Sequence, residues 1–394
     1  MCGIIGIVGV NQVGPLLIES LKRLEYRGYD SAGIATLSDG SIVRYRAEGK
    51  INNLEARIGY EEASGLIGIG HTRWATHGGA NEANAHPHSD GRVAIVHNGI
   101  IENHKELREK LIAAGHKFES ETDSEVVVHL ISSYLAEGLS HEDAAHAAIG
   151  DLHGAYALTI LFSEREDILI GARHGPPLAV GFGDGEMFVG SDALAMAQMT
   201  QKIAYLEDGD WVVVTRDGMI VRNQIGSVVN REASQAALSG ALIGKGEYRH
   251  FMIKEIHEQP QVVGDTLHSF MNPTDRSVVL PDLPFDLNKV PRITIVGCGT
   301  AYLAGLIAKY WIEKLVGIPV EVDIGSEFRY REPPVPRGGV ALFISQSGET
   351  ADTLAPLRYC RAKEQHIVSV INVIESTMAR ESDVSLKTLA GPEI

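Results

Sequence analysis

Cys2 stands directly after the initiator methionine, at the head of the apolar run Cys2-Gly3-Ile4-Ile5-Gly6-Ile7-Val8-Gly9-Val10. If Met1 is trimmed, which a small second residue permits, a thiol and a free α-amino group share one residue. A thiol is the strongest side-chain nucleophile near neutrality. An α-amino group titrates near pH ~8, so part of it is a free base at pH ~7. Nucleophile and proton acceptor would then be one residue, with no catalytic histidine needed. A lone cysteine near a terminus signifies little, because buried cysteine is commonly just a small hydrophobe. Its neighbours in chemistry, further along the chain, give it meaning.

Four polar clusters supply them. They are Arg27-Gly28-Tyr29-Asp30-Ser31-Ala32-Gly33, Gly70-His71-Thr72-Arg73-Trp74-Ala75-Thr76-His77-Gly78, His97-Asn98-Gly99-Ile100-Ile101-Glu102-Asn103-His104, and Glu121-Thr122-Asp123. Each sits at a strand end or in a Gly-containing turn, where side chains converge on pockets. Any one alone reads as a solvated turn. With Cys2 they meet the needs of acyl transfer: a nucleophile, a base and an oxyanion hole. Asn98-Gly99 offers a side-chain NH₂ and a backbone N–H, each such donor being worth roughly 10²–10³ in rate. Arg73 is a fork matched to a free carboxylate, and Asp123 can take an ammonium. The chemistry indicated is amide hydrolysis of an amino-acid substrate. His86-Pro87-His88 is the best candidate for a metal site, but no Cys pair or helical His-Glu spacing accompanies it, and no metal is expected.

The elements that position these groups are mostly short strands. Cys2–Val10, Gly33–Leu37, Ile42–Tyr45, Val93–His97, Tyr156–Phe162, Ile168–Ala172, Met187–Val189 and Trp211–Thr215 are apolar or β-branched runs bounded by Gly, Asp or Pro. Leu16, Leu17, Leu21 and Leu24 share one helix face, a second helix follows Asn103, and a third spans Ser124–Leu135 with Asp123 as its cap. Hairpin strands with helices outside predict an α+β αββα sandwich over residues 1–232. Ala, Ser and Gly then dominate residues 233–249, which read as a linker. Over residues 250–394 strands and helices alternate: Arg292–Val296, Ala301–Leu315, Val320–Ile324, Val340–Ile344, Glu349–Ala362 and Ile367–Ile371. That is a βαβ pattern, hence an α/β parallel sheet. The stop at Gly391-Pro392-Glu393-Ile394, just after a strand, makes this second domain read as incomplete.

The second domain carries its own chemistry. Gly297-Cys298-Gly299-Thr300 joins a strand to an amphipathic helix, and Asp323 ends the next strand. A dinucleotide site is the rival reading, yet Tyr302 stands where the third fingerprint glycine belongs. Ser345-Gln346-Ser347-Gly348-Glu349-Thr350 is the stronger signal. Hydroxyls and backbone N–H groups at a helix N-terminus bind phosphate without lysine.

The totals narrow the class. A chain of 394 residues with 44% apolar and 22% charged residues is ordinary for two globular domains. The net charge of −16 argues against nucleic acid or an anionic membrane as partner. Three scattered cysteines fit a reducing compartment. No signal peptide is read, and no apolar run approaches the ~18–20 residues needed to span a bilayer. Cytoplasmic location is the expectation.

The strings Arg23–Gly33, His71–Gly78, Asn84–His88 and His97–Asn103 resemble the class II glutamine amidotransferases, whose mature N-terminal residue is cysteine. The match is closest to the glutamine–fructose-6-phosphate aminotransferase family, with Ala80 where many members have proline. Residues 345–350 resemble the phosphosugar loop of flavodoxin-like sugar isomerase (SIS) domains, and Tyr248–Met252 and Glu327–Arg331 fit the same family. The resemblance implies an N-terminal-nucleophile fold and glutamine attack by Cys2, with Asn98 and Gly99 as the oxyanion hole. It implies that Arg27 positions the N-terminus, and that Arg73, Thr76, His77 and Asp123 hold the glutamine. It implies that Ser345, Gln346, Ser347 and Thr350 grip the phosphate of fructose 6-phosphate, with Thr300 near the sugar. Ala301 replaces an expected serine, which removes one hydroxyl from that site. The implied reaction is L-glutamine plus D-fructose 6-phosphate giving D-glucosamine 6-phosphate plus L-glutamate, with no cofactor, in a homodimer of the full-length protein. Family members continue into a second SIS domain holding the ring-opening histidine and imine-forming lysine, so this stretch is expected to keep glutamine hydrolysis and not amination. Two rivals stand beside this reading. A class II amidotransferase acting on phosphoribosyl pyrophosphate would need an acidic pyrophosphate-binding strand motif, and none is found. A non-catalytic sugar-phosphate-binding regulator would show a degraded glutaminase pocket, yet Cys2, Arg73, Asn98 and Asp123 are present.

Overall fold

Period-two alternation along the strands sorts side chains into separate apolar layers. In the strand Gly3–Val8, Ile5 and Ile7 join one core and Ile4 and Val8 another. A computed structural model describes residues 2–58, 63–75, 77–235, 248–272 and 274–391, with Tyr26 described in its backbone alone. It divides into two units, Met1–Gly240 and Ala241–Ile394. Among the described residues no helix is long and apolar enough to cross a membrane.

The first unit holds two antiparallel sheets. One runs, edge to edge, Ser234–Gln235, Lys202–Tyr205, Ala179–Phe182, Met187–Gly190, Gly3–Val8, Ile67–Arg73, Ser31–Ser38 and Ser41–Glu48. The other runs Val228–Val229, Gly218–Arg222, Trp211–Thr215, Arg165–His174, Gly154–Phe162, Val93–Ile101 and His88–Ser89. Ile4, Val8, Ile69, Ala94, Val96, Leu161 and Leu169 pack between the sheets. Helices Gly14–Leu24 and Ile51–Arg57 cover the first sheet through Leu17, Leu21 and Leu54. Helices His104–Ala113, Glu125–Ala136 and His141–Asp151 cover the second through Leu107, Val127 and Ala145. The αββα sandwich expected from the sequence is what forms.

Several local expectations change. The strand Ile67–Arg73 was not anticipated, because Gly68 and Gly70 dilute its β pattern. Those glycines admit the covering helix: a Cβ on Gly68 would lie 3.0 Å from Leu17 Cδ1, and one on Gly70 3.1 Å from Leu21 Cδ1. Ser234–Gln235 adds an edge strand inside the expected linker, most of which falls outside the described residues. Asp123 does not cap the following helix. That helix is Glu125–Ala136 with Ser124 at its N-cap and no side-chain cap bond, while the Asp123 carboxylate accepts from the Ile101 N–H at 2.8 Å.

The second unit is a five-stranded parallel sheet in the order Val320–Ile324, Ile293–Gly297, Val340–Ser345, His366–Ile371, Val384–Lys387. In chain order this is 2-1-3-4-5, the flavodoxin-like arrangement, whose ligand crevice lies between the first and third strands. Apolar clusters cover both faces. A helix missed in the sequence, Phe251–Ser269, precedes the sheet, and none of its residues is buried.

Candidate active site

The layer between the two antiparallel sheets turns polar at one end. His71 and Arg73 continue the inward face set by Ile67 and Ile69, and Asn98 continues that of Ala94 and Val96. Cys2 continues the register of Ile4. Strand alternation alone therefore delivers these four side chains to one region.

Cys2 is partly buried, and its Sγ accepts from the Trp74 N–H at 3.2 Å. Burial pushes the thiol above its ordinary value; the Trp74 N–H and the N-terminal charge oppose this, Asp30 adds to it and Arg73 opposes it. The thiol thus keeps its proton at neutrality, and attack needs a base. Asn98 is buried and donates through Nδ2 to the Cys2 carbonyl at 2.9 Å. An amide nitrogen carries two hydrogens, and this bond uses one. Gly99 has φ +134°, and a Cβ there would lie 1.9 Å from the Ala155 carbonyl oxygen, so no other residue fits.

The N-terminal strand is tied down beside this group. The Ile4 N–H donates to Ser191 Oγ at 2.9 Å, and the Ser191 N–H donates back to the Ile4 carbonyl at 3.1 Å. The next residue, Asp192, forms an ion pair with Arg27, both largely buried. Arg27 therefore braces the strand that carries Cys2. Ser191 and Asp192 were not singled out in the sequence. They follow a strand and cap a short helix, with Asp192 accepting from the Leu194 N–H at 2.9 Å, and nothing local links them to residues so far away in the chain.

Arg73 is 4% exposed, and its guanidinium donates to the carbonyls of Gly79 at 3.1 Å, Gly78 at 3.4 Å and His77. Here the fork shapes the 77–79 loop, and an incoming carboxylate would compete with those carbonyls. Asp30 fixes the other side of the loop by accepting from the Ala75 N–H and from Ser31 Oγ at 2.9 Å. His77 meets His104 edge to face at 5.3 Å. Asp123 is 3% exposed and lies where the chain leaves Gly99. Thr76 lies outside the described residues.

The histidines around His86-Pro87-His88 pack against one another. His71, His86, His88 and His97 are buried; His71 and His86 stack at 4.3 Å and 19°. Desolvation holds His71 and His88 at about 3, His97 below its ordinary value and His86 well below it. Among the described residues no group of His, Cys, Asp or Glu is arranged to hold a metal ion.

In the second unit the loop 345–350 leaves the third strand at the crevice side. Ser345 Oγ accepts from the Gly348 N–H at 3.0 Å, and Ser347 Oγ from the Glu349 N–H at 3.3 Å. Gly348 has φ +63°, and a Cβ there would strike Ser376 Oγ at 2.2 Å. Gln346 is exposed, and Thr350 is the N-cap of helix Ala351–Ala362. Thr300 opens helix Thr300–Val316 after the neighbouring strand, exposed to solvent. Cys298 Sγ lies 3.7 Å from Thr353 Oγ1 and so links the turn before Thr300 to the helix that follows the 345–350 loop.

The model of a glutamine amidotransferase domain matches residues 71–198, and that of a SIS domain matches residues 286–394. The whole chain is 58% identical to a glutamine–fructose-6-phosphate aminotransferase (isomerizing) of Mesorhizobium japonicum and 56% identical to that of Zymomonas mobilis. It spans 65% of the length of each of these relatives. A solved glutamine phosphoribosylpyrophosphate amidotransferase from B. subtilis covers 98% of this chain at TM-score 0.52 and 18% identity, with 91% of that chain covered, and so shares the fold. Over its whole length the chain is thus similar to the glutamine–fructose-6-phosphate aminotransferases, with a glutamine amidotransferase domain matched in its first unit and a SIS domain in its second.

Proposed function

We propose that the first unit hydrolyses L-glutamine at Cys2 and that the second binds the phosphate of D-fructose 6-phosphate through residues 345–350. Together they serve an aminotransferase that makes D-glucosamine 6-phosphate and L-glutamate. The observation that carries the reading is the junction of Cys2 with Asn98 and the Trp74 N–H at the polar end of the inter-sheet layer. With Met1 removed, the Cys2 α-amine takes the thiol proton. The sulfur attacks the glutamine amide carbon, and the oxyanion forms beside Asn98 Nδ2 and the Gly99 N–H. The protonated amine returns its proton to the leaving nitrogen, ammonia departs, and water cleaves the thioester to glutamate. Arg73, Thr76, His77 and Asp123 hold the glutamine's carboxylate and ammonium. Ser345, Gln346, Ser347 and Thr350 face the phosphate, with Thr300 across the crevice.

The protein acts in the cytoplasm, without nucleic acid, membrane or cofactor. The full-length protein is a homodimer, a state supported by the apolar side chains Leu303, Ile307, Tyr310, Trp311 and Leu315 exposed on one helix. The deciding test of the chemistry is paired. Cys2→Ala should fold normally and lose glutamine hydrolysis. A chain with an uncleavable N-terminal tag should keep the thiol and lose activity equally. Near-normal glutaminase in either variant would remove Cys2 or its amine from the mechanism.

A further inference from the structure

We propose that His71 is a positioning residue that locks the Asn98 side-chain amide in the orientation glutamine hydrolysis requires. The inference rests on the reading of Asn98 as an oxyanion donor. His71 does not bond to Cys2; its reach to the thiol residue runs through Asn98.

The argument begins with the two ends of the amide. Asn98 Nδ2 lies 2.9 Å from the Cys2 carbonyl, which can only accept. Its Oδ1 therefore faces His71 Nε2, at 3.0 Å. The same Nε2 lies 3.0 Å from the His97 carbonyl. Two acceptors converge on one ring nitrogen, so Nε2 carries the proton and shares it between them. A flipped Asn98 amide would set NH₂ against that N–H and oxygen against the Cys2 carbonyl. Both contacts would be repulsive. The tautomer of His71 thus selects the amide orientation that directs the NH₂ toward the nucleophile's residue.

His71 is itself held from behind. Its ring is fully buried and stacked on His86, whose Nδ1 accepts from the His97 N–H at 3.2 Å. His97 Nδ1 in turn meets Ser124 Oγ at 2.8 Å, and His88 Nε2 meets Thr122 Oγ1 at 3.0 Å. The ring is fixed between two sheets, since His71 lies on Ile67–Arg73 and Asn98 on Val93–Ile101. Oxyanion donors work because they are oriented before charge develops, and a buried imidazole donor on a strand supplies such an anchor.

The test compares His71→Met, which fills similar volume without a donor, with His71→Gln, which can return an N–H to the Nε2 position. Asn98→Ala is measured alongside. His71→Met should lower kcat for glutamine hydrolysis roughly tenfold or more, while KM changes by less than about threefold, because the lost function is oxyanion stabilisation. His71→Gln should recover most of kcat. Nitrogen-15 NMR of the wild-type ring should show protonation at Nε2. If Asn98→Ala is inactive and His71→Met is as fast as wild type, this inference fails and the glutaminase reading stands. If Asn98→Ala itself stays active, the underlying reading of Asn98 fails. Should His71→Met not fold, the NMR decides: a proton on Nδ1 instead of Nε2 overturns the proposal.

Discussion

Gly99 places the sharpest constraint of any single residue. It sits inside a strand at φ +134°, and its missing Cβ is what lets the Ala155 carbonyl approach. Gly99→Ala must either shift the strand pairing with Gly154–Phe162 or rotate the peptide that offers its N–H. Either movement disturbs one proposed oxyanion donor, whose loss costs roughly 10²–10³ in kcat. The expected result is that loss together with a lower thermal midpoint. A Gly99→Ala enzyme of normal rate would show that its backbone N–H takes no part. Residues of this kind were legible from sequence because they lie in long unusual strings. Partners joined only through space were not. Asp192 is known as the partner of Arg27 only once two strands bring it there, and the engagement of Arg73 with the carbonyls of residues 77–79 is a backbone matter no side-chain pattern encodes.

At the scale of elements, the buried histidines tie the polar end of the sandwich to pH. His71, His88 and His97 come from three strands and His86 from the bend before one of them, and all four are kept neutral first of all by desolvation. In the unfolded chain they titrate near pH ~6.5. Above that pH neither state holds the extra proton and stability is full. As pH falls below ~6.5 the unfolded chain takes up protons that the folded chain refuses, so stability declines toward pH ~3. Each such histidine contributes about 1.4 kcal/mol per pH unit in that window. Urea midpoints should therefore fall steeply between pH ~7 and ~5, and replacing His88 with Gln should flatten the slope by about a quarter. A midpoint constant over that range would mean the rings are charged in the native state. The alternation of strand residues was readable in advance, and with it the sandwich. The strand Ile67–Arg73, which carries two of the site's side chains, was hidden by its own helix-admitting glycines.

At the scale of the whole molecule, the two proposed activities separate by unit. The apolar clusters described in the first unit draw on residues 4–229, and those in the second on residues 283–386. Every described side chain assigned to glutamine chemistry lies between Cys2 and Asp192, and every one assigned to phosphate between Thr300 and Thr350. Each unit therefore contains its own apolar layers and its own proposed site. Residues 1–240 expressed alone should fold cooperatively and hydrolyse glutamine at a rate within about threefold of the 394-residue chain, since no core cluster is cut. Fructose 6-phosphate should bind the 394-residue chain and not residues 1–240. Gly348→Ala should abolish that binding, because a Cβ at φ +63° collides with Ser376 Oγ and displaces the loop. Calorimetry of the sugar phosphate against all three proteins, with glutamate release followed in parallel, checks the division. Sugar-phosphate binding by residues 1–240, or by Gly348→Ala with unchanged affinity, would place the phosphate somewhere other than the 345–350 loop.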